Sequence, residues 1–261
     1  MIRSWVEGGV GRIHIDDAEH RNVLSLDHSR AIAAAVAAFR PDADHVGADH
    51  VSADDVGAIV LTAADPVFCS GGVLDDLIEP KAPLIEVYAA FDALRSAPVV
   101  TLAVVTGAAI GAGVNLPLAC DIVIAGESAR FDPRFLDVGV HPGGGHLFLL
   151  QQGVGRQGAA ALSLCGDALT GPEAERAGLA WRCVPDDEAL PLAMTLATRA
   201  AGRDRELMRR AKATLAAQPL THQEAFDLEL EAQQWSMDRP GFKDHVRALR
   251  DRLQQRKQGG R

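Results

Sequence analysis

Apolar and polar positions change rhythm three times along the chain. The first stretch alternates: Ile2 to Glu7 and Gly11 to Asp16 read as short strands on either side of the turn signal Gly8-Gly9. A polar connection, Asp17 to Asn22, leads to Ser25, placed to cap a helix over His28 to Phe39 with Ile32, Val36 and Phe39 on one face. Residues 40–56 are acidic and rich in loop formers, so they read as an exposed loop, with His45 and His50 as solvated side chains and not metal ligands.

The second stretch carries continuous apolar runs: Ala58 to Thr62, Val99 to Val105 and Ile122 to Ala125. Such runs suit strands buried on both faces, as in parallel sheets. A helical stretch from Leu84 to Leu94 separates the first two, which implies βα units. After about residue 145 helical pattern dominates. Thr170-Gly171-Pro172-Glu173 is a capping box, Gly178 a stop, and Trp181 to Val184 a last short strand. A second capping box, Thr221 to Glu224, opens a helix with Ala225, Leu228, Ala232 and Trp235 on one face; Phe242, Val246, Leu249 and Leu253 line the next. Faces of this kind pack on their own core or on a partner subunit. The expected organisation is a core over residues 1–200 and a helical region over 201–261, ending in a frayed polar tail from Gln254.

Composition narrows the function. In 261 residues, 48% are apolar and 23% charged, an ordinary globular mix. No apolar run reaches the ~18 residues of a membrane span, and the first residues lack the apolar core of a signal peptide. A soluble, cytoplasmic protein is expected, with no membrane partner. The net charge of −9 opposes nucleic acid but leaves room for a small anionic ligand held by backbone amides. Cys69, Cys120, Cys165 and Cys183 are far apart and form no CxxC, so reduced, mostly buried thiols are expected and no metal.

Two glycine-rich segments each follow an apolar run: Phe68-Cys69-Ser70-Gly71-Gly72, and Thr106 to Gly113 with glycines at 107, 111 and 113. The second fits the TGxxxGxG spacing of a dinucleotide loop, but it begins at residue 106. The single tyrosine, Tyr88, precedes it and is followed four residues on by Asp92 and not by lysine. A glycine spacing alone is weak, and the dehydrogenase reading is rejected. The better physical reading is two tight turns whose free N–H groups face a developing negative charge. Small residues there let a carbonyl approach the backbone.

At these segments the sequence resembles the crotonase (enoyl-CoA hydratase/isomerase) family. The likeness begins at His20-Arg21-Asn22-Val23-Leu24-Ser25 and runs through FCSGG, GAAIGAGVNLPLACDIVIA and ARFDPRFLDVGVHPGGG to the final helices. It implies an α/β crotonase spiral of ββα units with a C-terminal helical trimerisation region. It also implies an acyl-CoA thioester as ligand, coenzyme A being part of the substrate and no other cofactor needed, and a homotrimer or homohexamer. By position, the amides of Gly72 and Ala112 match the family's oxyanion donors. Arg21, Val23 and Leu24 match the stretch along the CoA nucleotide. Ser70, Val73 and Leu74 match residues beside the pantetheine and thioester, and Phe242 matches a cover for the adenine, from a neighbouring subunit.

The likeness breaks at the acid/base positions. The family's two glutamates fall on Asn115 and Phe135, and a third site used by some isomerases falls on Gly143. An amide cannot act as a base near neutral pH, and Phe135 can only pack against the substrate. Each acid/base group contributes typically 10²–10⁴-fold, so standard hydration is doubtful. His141, six residues after Phe135 and just before Pro142-Gly143-Gly144-Gly145, is the first candidate substitute. His146, expected to start a helix, and Asp132, expected to pair with Arg134, rank below it. Asp137, Asp75 and Asp76 read as solvated or helix-start charges, and Cys69 as packing. The expected function is an acyl-CoA enzyme with altered acid/base groups; the alternative is a non-catalytic acyl-CoA-binding protein.

Overall fold

The computed structural model describes residues 1–39, 56–217, 222–244, 246 and 248. His45, His50, Thr221, Leu249, Leu253 and the tail lie outside the described residues. The chain divides into two compact units, Met1–Arg203 and Asp204–Arg261.

The first unit is built on a six-stranded sheet in the order β1-β2-β3-β4-β6-β9. Its strands are β1 (Ile2–Glu7), β2 (Val10–Ile15), β3 (Ala58–Ala63), β4 (Val100–Val105), β6 (Ile122–Gly126) and β9 (Arg182–Val184). Only the β1–β2 hairpin is antiparallel. The three continuous apolar runs form β3, β4 and β6, adjacent and parallel as expected. Alternate residues go to opposite faces. Ile13, Ile15, Ile59, Leu61, Ala103, Val105 and Val123 enter one core. Val10, Ala58, Val60, Leu102, Val104 and Ile124 enter the other. The second core is closed by α8 (Asp186–Ala201), whose Ala189, Ala193 and Ala197 recur every four residues and are fully buried. The sequence reading did not separate this helix from its neighbours.

On the first face, Ser25 caps α1 (Leu26–Ala38), its Oγ accepting from the His28 N–H at 3.1 Å. The helix expected over Leu84 to Leu94 is two, α3 (Leu84–Val87) and α4 (Ala89–Ser96), following the short α2 (Asp75–Ile78). The break has a cause. The buried Ser29 hydroxyl enters it, donating to Val87 O at 2.8 Å and accepting from Ala90 N at 3.0 Å. A side chain inserted into the helical ladder splits it. Of the four cysteines, all free, Cys69 alone is fully buried; Cys120 and Cys183 are half-buried and Cys165 is exposed. The expectation of mostly buried thiols therefore holds at one position, because Cys165 follows the last turn of a surface helix.

A second, smaller sheet, β5-β7-β8, uses strands too short to see in the sequence: β5 (Ala108–Ile110), β7 (Arg130–Asp132) and β8 (Leu169–Thr170). Isolated bridges extend it backwards, Leu24 to Gly72 and Cys69 to Ala109. Successive passes of the chain thus lie side by side. After β5 comes α5 (Ala112–Leu118), and after β7 comes α6 (His146–Leu164). The Thr170–Glu173 capping box opens α7 (Gly171–Ala177), and Gly178 ends it in the left-handed region at φ 88°.

In the second unit, Asp204 caps α9 (Arg205–Ala216), accepting from Leu207 N at 2.8 Å and from Arg239 at 2.7 Å. The Trp235 ring of α10 (His222–Asp238) lies under two guanidiniums, Arg210 at 3.9 Å and Arg239 at 5.0 Å. Leu228, Ala232 and Trp235 are half-buried along one face of α10.

Candidate active site

The site is assembled from neighbouring passes. Ser70 N donates to Arg21 O at 3.1 Å and Leu24 N to Gly71 O at 2.8 Å. Cys69 N donates to Ala108 O at 3.0 Å, Ile110 N to Cys69 O at 2.9 Å, and Gly111 N to Asp132 O at 2.9 Å. The first pass is pinned by Asn22, fully buried at φ 52°. Its Nδ2 donates to Ala64 O and Val67 O, both at 2.6 Å, and its Oδ1 accepts from Asp17 N at 2.9 Å.

Glycine brings the two turns together. A Cβ on Gly71, at φ 102°, would lie 2.9 Å from Ile110 O and 3.9 Å from Ala112 N. One on Gly113 would lie 2.5 Å from Cys69 O and 3.0 Å from its Sγ. The next amides on these turns are those of Gly72, exposed, and Ala112, half-buried. Ala112 is the first residue of α5, where no intrahelical acceptor exists. Among the described residues neither N–H has a partner. Beside them the Cys69 thiol is pushed up to about 11 by burial. It is a protonated packing group, not a nucleophile.

One helical turn beyond Ala112 lies Asn115, 1% exposed. Its Nδ2 donates to Gly143 O at 2.9 Å and its Oδ1 meets His146 Nδ1 at 2.7 Å. The glycine run permits this. A Cβ on Gly143 would strike the Tyr88 hydroxyl, and one on Gly144, at φ 66°, would lie 2.9 Å from Phe91 Cδ2 and 3.1 Å from Asn115 Nδ2. His146, the first residue of α6, is 1% exposed and stacks obliquely on Phe135, with ring centroids 4.8 Å apart and planes at 58°. Burial pushes its pKa down to about 4, so the ring is neutral near pH 7. Its Nε2 is buried with no partner among the described residues.

The structure therefore gives Asn115 a histidine, but it is His146. His141 is exposed, and its Nδ1 bonds the neighbouring Pro142 O at 2.8 Å. The physical reason is the close approach of Gly143 to Tyr88 and of Gly144 to Phe91 and Asn115, which delivers the residue after the glycines, not the one before them, to the interior. Asp132 is 3% exposed and paired with Arg134 at 2.8 Å, as expected, and with Arg130 at 3.2 Å. Of the other expected residues, Leu24 is buried and Val23, Ser70, Val73 and Phe135 are half-buried. Arg21 and Leu74 are exposed. Phe242, half-buried, belongs to the second unit.

Residues 6–248 match the enoyl-CoA hydratase/isomerase family. The chain belongs to the enoyl-CoA hydratase/isomerase family. A probable enoyl-CoA hydratase of Mycobacterium tuberculosis is 35% identical over 261 residues, covering 95% of this chain and 96% of the relative. Another, from Rhodobacter capsulatus, is 36% identical over 196 residues, 71% of this chain and 69% of its own length. The crystal structure of an enoyl-CoA hydratase from Polaromonas sp. JS666 superposes with a TM-score of 0.84 at 25% identity, covering 96% of this chain and 97% of that one. The coiled succession of short strands and helices is the α/β crotonase fold of this family, with its helical region at the C-terminus. Among the described residues no helix is long and apolar enough to cross a membrane.

Proposed function

We propose that this enoyl-CoA hydratase/isomerase family member processes acyl-CoA thioesters by holding the thioester oxygen between the amides of Gly72 and Ala112. The observation that carries the reading is that both N–H groups lack a partner among the described residues, on turns forced together at Gly71 and Gly113. Two such donors are stronger toward an oxyanion than toward a neutral carbonyl, so they favour an enolate-like transition state. Arg21, Val23 and Leu24 run beside the CoA nucleotide, and Ser70, Val73 and Leu74 beside the pantetheine. The exposed apolar side chains of the C-terminal unit, among them Leu207, Leu215, Phe226, Leu230 and Met237, support a homotrimer or homohexamer.

Standard hydration needs a base for water and an acid for the α-carbon; Asn115 and Phe135 supply neither. Crotonyl-CoA turnover, followed as loss of enoyl-thioester absorbance, is expected to be slow, while equilibrium dialysis retains crotonyl- and butyryl-CoA. Failure to bind any thioester of an acetyl- to octanoyl-CoA panel overturns the reading. The second reading, binding without catalysis, is favoured by the apolar Phe135 ring at the position expected to hold a carboxylate. It predicts retention of thioester with no product by mass spectrometry.

A further inference from the structure

The first glycine turn runs straight into a group of exposed aliphatic side chains. Leu74, Leu77 and Ile78 are spaced i, i+3 and i+4, one face of the short α2. Leu84 and Ile85 follow in the first turn of α3. All five are exposed, Ile78 by 79%. The polar side chains among them are engaged elsewhere. Lys81 Nζ pairs with Asp76 Oδ1 at 2.7 Å, which draws the connection back toward α2, and Glu86 pairs with Arg30 of α1. An exposed apolar patch of this kind marks a binding groove or an interface.

Its place in the chain says what it binds. Leu74 comes two residues after Gly72, and a chain spans at most about 3.6 Å per residue, so the two Cα atoms lie within about 7 Å. At about 1.5 Å rise per helical residue, Ile78 lies within about 13 Å of Gly72. On the acyl-CoA reading, the nucleotide lies along the pass that pairs with Gly72 through Leu24. The pantetheine arm carries amides, which need polar partners that aliphatic side chains do not offer. A hydrocarbon tail needs only burial. Residues 74–87 also carry four acids and one lysine, which opposes an anionic membrane surface as the occupant.

We infer that Leu77, Ile78, Leu84 and Ile85 seat the acyl tail, and that the substrates are medium- and long-chain thioesters, octanoyl-CoA and beyond. This rests on the acyl-CoA reading above and deepens it by naming the substrate class. At about 1.5 Å per carbon–carbon bond, a butyryl chain ends within about 5 Å of the thioester carbon. It stops near Leu74, whereas a dodecanoyl chain extends past about 10 Å and covers both helices. Each methylene taken out of water there tightens binding by up to about fourfold.

The test is equilibrium dialysis of the full chain against butyryl-, octanoyl- and dodecanoyl-CoA, each below its micelle-forming concentration. Dodecanoyl-CoA is expected to bind at least about 100-fold more tightly than butyryl-CoA, with octanoyl-CoA between them. Leu77→Ser combined with Ile78→Ser is expected to lower the dodecanoyl-to-butyryl affinity ratio at least about tenfold. Should that pair not fold, Leu84→Ser combined with Ile85→Ser decides. Equal affinity for the three chains overturns the inference and leaves the acyl-CoA reading standing. So does a variant that keeps the wild-type ratio; if its mass by light scattering has fallen, the face is a contact between copies of the chain. A wild-type protein that binds no thioester removes both readings.

Discussion

Asn115 and His146, thirty-one positions apart in sequence, share one hydrogen bond of 2.7 Å that fixes the imidazole tautomer. Replacing Asn115 by Asp keeps an acceptor for His146 but sets a carboxylate against Gly143 O. The variant is expected to lose about 1–3 kcal/mol in urea unfolding. Its new charge favours imidazolium, so the His146 pKa, followed by NMR, rises from about 4. An unchanged titration would show that the two side chains do not touch.

The same burial makes stability depend on pH. The folded His146 pKa, about 4, lies below the unfolded value of 6.5. Between them the unfolded chain binds the extra proton, so stability is held above pH 6.5 and lost as pH falls towards 4. The gap corresponds to about 3 kcal/mol. The stability difference between wild type and His146→Gln, measured by denaturant at pH 7.5 and 5, is expected to shrink at the lower pH.

Ala112→Pro removes one of the two free amides with little harm to α5. Proline is at home in the first helical position. The preceding Gly111, at φ 52° and ψ −122°, holds the mirror image of an extended conformation, which suits a residue before proline when it is glycine. Any thioester turnover should fall about 10²–10³-fold, with the circular dichroism spectrum unchanged.

Gly113→Ala presses a methyl group against Cys69 O and Sγ, pushing the two glycine turns apart. Overpacking of this kind costs about 1–3 kcal/mol. A fall of several degrees in melting temperature, together with loss of activity, is expected; a melting curve at the wild-type temperature argues against so close an approach.

Asn22→Ala leaves Ala64 O and Val67 O without their donor and Asp17 N without its acceptor. At about 1–3 kcal/mol per buried unsatisfied group, the variant is expected to unfold at clearly lower urea. It should also lose acyl-CoA binding, because the pass through Arg21, Val23 and Leu24 is released.

Much of this architecture was legible in the sequence because it is periodic. The runs at 58, 99 and 122 suited strands buried on both sides, and Thr170 to Glu173 announced a helix start that the structure contains. The helix break at Tyr88 was hidden because its cause, Ser29, lies some sixty residues away. The strands at 108, 130 and 169, two or three residues long, carry too few positions to show alternation. The two glycine turns were legible as chemistry, since their small residues signal close backbone approach. His146 was harder to single out over His141, because both flank the same Pro-Gly-Gly-Gly. Only the fit of Gly143 and Gly144 against Tyr88, Phe91 and Asn115 tells which histidine goes inside.

The bridges from Leu24 to Gly72 and from Cys69 to Ala109 have a consequence for how such a site can diversify. The amides of Gly72 and Ala112, unpartnered among the described residues, belong to adjacent coils, so their spacing is gauged by backbone pairing. Positions 115, 135 and 146 sit on the helices and turns that leave those coils. Substitution there changes the side chains around the two turns without disturbing the gauge, and this chain carries Asn, Phe and His at the three places.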